Sequence, residues 1–171
     1  MQKPLENSYW VVPQLLLAGE YPGGMSEADT KSRLALLDQA GINSFIDLTE
    51  EGERTAYRQH LRADCEYLRA AIVDTQVPNN IGDTRRVLEA IRNNLNRGKR
   101  VYVHCQAGIG RTGLIIGCYL AEIESSGRGG LRTLNRLWTQ SARARSWPTV
   151  PQTAEQADYI RKWPKLAKRS A

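Results

Sequence analysis

The chain has only three cysteines, Cys65, Cys105 and Cys118, an odd number at scattered spacings. That excludes a disulfide framework as the source of its stability. No apolar run approaches the roughly 20 residues that a membrane-spanning helix needs, so no membrane insertion is expected. Residues 1–7 carry no long apolar stretch after their charge, and a secretory signal is not expected. No repeat, linker or low-complexity segment divides the 171 residues. One domain over 1–171 is therefore expected, with a core over about 10–163 and a basic tail over 164–171. No stretch interleaves aromatic and basic residues in the manner of a nucleic-acid module, and no nucleic-acid partner is expected.

What is present suits a folded core. The hydrophobic share of 41% lies well above that of disordered chains. The net charge of +6 gathers at 128–145 and 161–169. It reads either as solvated helix faces with a basic tail or as attraction for acidic or phosphorylated partners.

Strands and helices alternate. Segment 9–18 reads as two short strands divided at Pro13, followed by a loop at 19–24. Ser26 suits the N-cap of a helix carrying Leu34, Leu36 and Leu37 and stopping at Gly41. A strand is expected at 42–48, a charged helix around 53–61 and a strand at 67–72. Asn79 or Asn80 opens an amphipathic helix with Ile81, Val87, Leu88, Ile91 and Leu95, ending at Gly98. A strand at 101–103 precedes an apolar helix at 114–120, and two helices follow near 130–140 and 153–163. Such alternation predicts an α/β fold with a central, mostly parallel sheet of four to five strands flanked by helices.

Residues 104–113 carry the chemistry. They read His-Cys-Gln-Ala-Gly-Ile-Gly-Arg-Thr-Gly and lie between the 101–103 strand and the apolar helix. A loop in that place wraps a helix N-terminus, where unpaired backbone N–H groups favour an anion. Cys105 and Arg111 bracket Gln106, Ala107, Gly108, Ile109 and Gly110, a phosphate-sized ring. Arg111 can give two parallel N–H donors to phosphate oxygens. A helix N-terminus and a fixed cation also favour thiolate over thiol, which makes Cys105 a candidate nucleophile. No metal or other cofactor is implied, because Arg111 supplies the cation.

The string resembles the signature of the cysteine-dependent protein tyrosine phosphatases, usually His-Cys-Ser-Ala-Gly-Ile-Gly-Arg-Thr-Gly, with Gln106 in place of Ser. The chain's length resembles the compact dual-specificity branch. The resemblance implies a tyrosine-phosphatase-like fold, a phosphocysteine intermediate and a phosphorylated protein substrate. A thiolate enzyme implies a reducing, cytoplasmic location.

The resemblance extends to Ile72-Val73-Asp74-Thr75-Gln76-Val77-Pro78, similar to the family's Trp-Pro-Asp-x-Gly-Val-Pro. It assigns Asp74 as general acid; an ordinary turn aspartate is the alternative. Replacement of Trp-Pro by Ile-Val leaves open how this loop closes. Thr112 is implied in easing thiolate departure, or it caps the helix. His104 is implied in ordering the loop. Pro151-Gln152-Thr153-Ala154-Glu155-Gln156 resembles the family's Gln-Thr-x-x-Gln stretch. That implies a water-positioning role for Gln156, the first choice, or for Gln152, with Thr153 as a helix cap.

Asp47, Glu50, Glu51 and Glu53 read as helix-start carboxylates or as a loop touching Arg111. Cys65 and Cys118 read as core. Tyr21 reads as a ring at the site's rim or as a packed aromatic. Three functions are weighed: a protein phosphatase acting on phosphotyrosine, alone or together with phosphoserine and phosphothreonine, a phosphoinositide or inositol polyphosphate phosphatase, and a non-catalytic phosphate-binding module. Polyphosphorylated substrates favour extra basic residues within the loop, and 106–110 contains none.

Overall fold

The computed structural model describes residues 3–168. Five strands form one sheet: β1 (Ser8–Val12), β2 (Leu16–Gly19), β3 (Ser44–Asp47), β4 (Glu66–Arg69) and β5 (Val101–His104). Their order is β1-β2-β5-β3-β4. The first pair is antiparallel and every other pair is parallel. β5 thus lies at the centre, its His104 paired with Gly19 on one side and Asp47 on the other. The helices are α1 (Glu27–Gln39), α2 (Ile81–Asn96), α3 (Gly110–Ile123), α4 (Gly127–Trp138) and α5 (Ala154–Lys168).

Side-chain alternation sorts the core into two layers. Val101 and Val103 join Leu16, Ala18 and Ile46 beneath α2, α3, α4 and α5. Tyr102, Leu17 and Phe45 face the other way, against Leu34 and Leu37 of α1. Successive residues of a strand point to opposite faces, so His104 falls on the α1 side. Cys105, one residue further on, joins the cluster beneath the four helices.

The expected caps are present. The Ser26 hydroxyl accepts from the Asp29 N–H, and the Asn80 side chain accepts from the Asp83 N–H. Leu36 points outward and is 45% exposed, so α1 buries only Thr30, Leu34 and Leu37. The expected strands at 42–48 and 67–72 are shorter as β3 and β4, but their pairing runs on. Leu48 N–H donates to the His104 carbonyl at 2.9 Å, and Ile72 N–H to the Leu48 carbonyl at 3.1 Å.

The charged helix expected around 53–61 is not there. Only a short 3₁₀ helix forms, Arg58–His60. Tertiary anchors override helical periodicity in this stretch. Glu53 turns inward to Arg111, and Tyr57 is buried in an aromatic cluster. The Thr55 carbonyl accepts from the Tyr21 hydroxyl at 3.0 Å. The segment set apart as a basic tail is helical as far as Lys168, because α5 continues through Pro164. The last three residues of that tail, 169–171, lie outside the described residues.

α3 and α4 form a close antiparallel pair joined by a short turn. A Cβ on Gly130 would stand 2.4 Å from the Ala121 backbone nitrogen, so only glycine permits this approach. Overpacking of such a contact costs roughly 1–3 kcal/mol. Gly130→Ala is expected to lower the melting temperature by about 2–4 °C per kcal/mol lost in a chain of this size. Calorimetry that finds an unchanged midpoint would show that the two helices separate without cost.

Candidate active site

The 105–111 loop leaves the carboxyl end of the central strand and enters α3, where ligands bind in open parallel sheets. Its outer edge is tied down. The Gln106 carbonyl accepts from the Tyr21 N–H at 3.0 Å. The Ala107 carbonyl accepts from Arg143, which also pairs with Glu20 at 3.2 Å. Gly108 has φ +75°, and a Cβ there would lie 2.6 Å from the Gly19 carbonyl carbon. With these carbonyls turned outward, the loop and the head of α3 keep N–H groups for an anion. Ile109 is buried beneath, and Gln106 is exposed beside Ala107.

Arg111 is completely buried. Its two terminal nitrogens make a two-pronged contact with Glu53 at 2.7 and 2.6 Å. One of them also donates to the carbonyls of Ile72 at 3.1 Å and Leu48 at 3.5 Å. Burial works against the guanidinium charge, but the bonds to Glu53 and the nearness of Cys105 and Asp74 raise its pKa above the ordinary arginine value. The bonds from Arg111 in turn hold the Glu53 carboxyl below its usual range. The Arg111 Nε–H is buried with no partner among the described residues. Of the acidic loop, then, Glu53 contacts Arg111, and Glu50 and Glu51 are exposed and start no helix.

Asp74 approaches the same guanidinium, its Oδ1 3.3 Å from Arg111 Nη2, and its side chain is 57% exposed. The next residue, Thr75, has φ +65°, an uncommon conformation for a β-branched residue. The loop is pinned to the start of α5. The Thr75 carbonyl accepts from the Thr153 hydroxyl at 3.4 Å, and the Gln76 carbonyl accepts from Gln156 Nε2 at 3.0 Å.

Thr153 and Gln156 form a reciprocal helix cap. The Gln156 N–H donates to the Thr153 hydroxyl, and the Thr153 N–H donates to Gln156 Oε1, both at 3.2 Å. Gln156 is fully buried and both ends of its amide are engaged. Gln152 is exposed. Both glutamines border the loop, because a Cβ on Gly110 would lie 2.9 Å from Gln152 Oε1 and 3.2 Å from Gln156 Oε1. Thr112 is not the helix cap. It lies inside α3, and its hydroxyl donates to the Gly19 carbonyl at 3.4 Å.

His104 is buried among Tyr21, Tyr57 and Tyr102, with ring centroids 5.4 Å away in each case. Its Nε2 is 2.7 Å from the Tyr57 hydroxyl. Burial brings its pKa down to about 4, against the opposing effect of Asp47, so it is neutral at pH 7. Asp47 is buried and accepts from the Thr49 N–H, the Thr49 hydroxyl and the Tyr67 hydroxyl. Tyr21 is packed in this cluster rather than standing as a ring at the rim. Cys118 is buried and Cys65 half-buried, both as free thiols.

The fold thus brings Cys105, Arg111, Asp74, Thr112, Gln152 and Gln156, all singled out from the sequence, around one loop. Glu20, Arg143 and Gln76 join them without any motif: the Glu20 carboxylate holds Arg143, Arg143 holds the Ala107 carbonyl, and Gln76 contributes only its own carbonyl.

A family model described as "Polymorphic toxin system, DSP-PTPase phosphatase" matches residues 18–124. "Putative tyrosine phosphatase 067L" of Invertebrate iridescent virus 3 is 35% identical over 88 residues, covering 50% of this chain and 36% of the viral protein. The Homo sapiens serine/threonine/tyrosine-interacting protein is 30% identical over 118 residues, covering 66% of this chain and 52% of its own. The chain therefore spans between a third and about half the length of these curated relatives. The crystal structure of Tk-PTP in its active form superposes with a TM-score of 0.74 at 18% identity, over 93% of this chain and 97% of that one, which establishes a shared fold. With more than half its length inside the family model, the chain belongs to the DSP-PTPase phosphatases.

Proposed function

We propose that the chain hydrolyses phosphotyrosine in proteins, alone or together with phosphoserine and phosphothreonine, through a phosphocysteine intermediate. One arrangement carries this reading. The Cys105 loop closes on Arg111, which Glu53 fixes in place, and Asp74 lies 3.3 Å from the same guanidinium. The phosphate sits in the 105–111 loop, on its N–H groups and the unpaired Nε–H of Arg111. The Cys105 thiolate attacks phosphorus and the P–O bond to the substrate breaks. Asp74 gives its proton to the departing oxygen. A water then attacks the phosphocysteine, Asp74 takes a proton from it, and the sulfur leaves as thiolate beside Thr112. The uncharged interior of 106–110 favours a single phosphate over a polyphosphorylated inositol.

Cys105→Ser is expected to abolish turnover of an aryl phosphate and of phosphopeptides while phosphoester binding persists. Arg111→Lys keeps the charge but loses the planar pair of donors, so kcat/KM is expected to fall steeply. Neither a chelator nor added metal should change the wild-type rate. A panel of phosphopeptides and phosphoinositides tests the substrate class, and preference for the lipids would overturn the protein reading.

Asp74→Asn removes a proton donor worth roughly 10²–10⁴-fold. The loss should be large for alkyl and phenyl phosphates and small for esters with acidic leaving groups. Equal losses on both would make Asp74 a structural residue.

The two glutamines are expected to separate. Gln156, the first choice from the sequence for holding the water, has both ends of its amide engaged, whereas Gln152 is exposed beside the loop, so Gln152→Ala should slow only the second step. Rapid mixing would then show a product burst and trapped phosphoenzyme. Gln156→Ala should also slow the first step, because the buried amide of Gln156 anchors the Asp74 loop. If neither variant alters either step, the water is held elsewhere.

A further inference from the structure

α4 shows a charge pattern that the phosphatase chemistry does not use. Its twelve residues expose only three side chains, Arg128, Arg132 and Arg136. They fall at i, i+4 and i+8, so each stands roughly 6 Å further along the helix axis than the last. No ion pair or hydrogen bond engages any of the three guanidinium groups among the described residues. The carboxylate tied to this helix is Glu124, which accepts from the Thr133 hydroxyl at 2.9 Å. Between Ser125 and Ala154 the sequence contains no Asp or Glu.

The direction of α4 gives this ladder a place relative to the site. α3 runs away from the Cys105 loop, and α4 turns back along it toward the same end of the sheet. The segment beyond α4 reaches the loop itself, where Arg143 donates to the Ala107 carbonyl. The ladder therefore climbs the side of the domain toward the mouth of the site.

We propose that the exposed face of α4 docks an acidic segment of the phosphoprotein substrate. This rests on the phosphatase reading above and adds to it a substrate class: phosphoproteins with a run of Asp and Glu on the same chain as the phosphorylated residue. The spacing fits such a segment in either common form. Carboxylates at i and i+4 of a helix recur at the same interval, and those on alternate residues of an extended chain recur at roughly 6.6 Å. Single-stranded nucleic acid binds on aromatic platforms between its phosphate contacts, and this face carries no ring. A membrane surface requires apolar side chains to enter it, and the face exposes none.

Exposed charge pairs are individually weak and screened by salt, so the effect should lie in KM and in salt dependence, not in the chemical step. The test compares the wild-type chain with a triple variant, Arg128→Gln, Arg132→Gln and Arg136→Gln. The substrates are a small aryl phosphate, a phosphotyrosyl peptide with an Asp/Glu-rich segment, and the same peptide with Asn and Gln in that segment. In the wild type the acidic segment is expected to lower KM by about tenfold at low ionic strength, the gain disappearing near 1 M salt. The triple variant should show no such gain, with unchanged kcat and KM on the aryl phosphate. Retention of the gain in the triple variant would overturn the proposal, as would its absence in the wild type. So would an oligonucleotide that binds through the three arginines while the acidic peptide does not. If no phosphoester is turned over at all, the phosphatase reading fails by itself. Fluorescence anisotropy with the unphosphorylated acidic peptide then decides docking: binding lost in the triple variant supports it, and binding unchanged rejects it.

Discussion

The structure is organised around one charge that cannot be neutralised. Arg111 is permanently protonated and fully buried. An unpaired cation in that position would cost several kcal/mol. The chain meets this cost with groups from three separate segments. The Leu48 carbonyl lies just past β3, the Ile72 carbonyl lies where pairing beyond β4 ends, and the Glu53 carboxylate comes from the loop between those strands. The ends of two strands and the head of α3 are thereby fixed against one another. Glu53 cannot belong to a regular helix, because its carboxylate must face inward.

The alternation of one short strand separates two environments around this charge. His104 and Cys105 are neighbours in sequence but lie on opposite faces of the sheet. The histidine enters an aromatic layer where burial keeps it neutral, pinned by Tyr57. The cysteine enters the loop at the head of α3, beside the buried guanidinium. A charged histidine here would set a second buried cation close to Arg111, facing Asp47 3.9 Å from its Nδ1. The aromatic layer therefore simplifies the site's electrostatics: one fixed cation, with two carboxylates arranged around it.

Much of this was legible in the sequence, for identifiable reasons. The strand, the glycine-containing loop and the apolar helix at 101–120 are contiguous, so local pattern was enough to place Cys105 and Arg111. The caps at Ser26 and Asn80 are likewise local chemistry. The failures arose where distant contacts decide. The stretch 53–61 has helical composition, but Arg111, 58 residues from Glu53, claims that carboxylate. Thr112 looks like a cap beside Arg111, yet the helix begins two residues earlier, at Gly110. Glu20 and Arg143 could not be found by motif. Their contribution is a chain of contacts from α1 through Glu20 to the Ala107 carbonyl, and it involves Arg33 as well.

The same distinction between local and distant contacts applies where Ile-Val stands in place of Trp-Pro. A loop that must travel to deliver its acid needs a hinge and a large side chain to seat on arrival. Here Ile72 is already seated, 5% exposed in the main core, with its N–H on Leu48 and its carbonyl on Arg111. Two residues later Asp74 stands within reach of the guanidinium, and the next two carbonyls are held by Thr153, the cap of α5, and by Gln156 within it. The strained Thr75 conformation is sustained by anchors on both sides of it. Asp74 therefore stands on a short bridge between two fixed supports, its carboxyl open to solvent and its backbone held. In the reading proposed above, such a bridge holds the acid in place, with Ile72 seated in the core on one side and the start of α5 on the other.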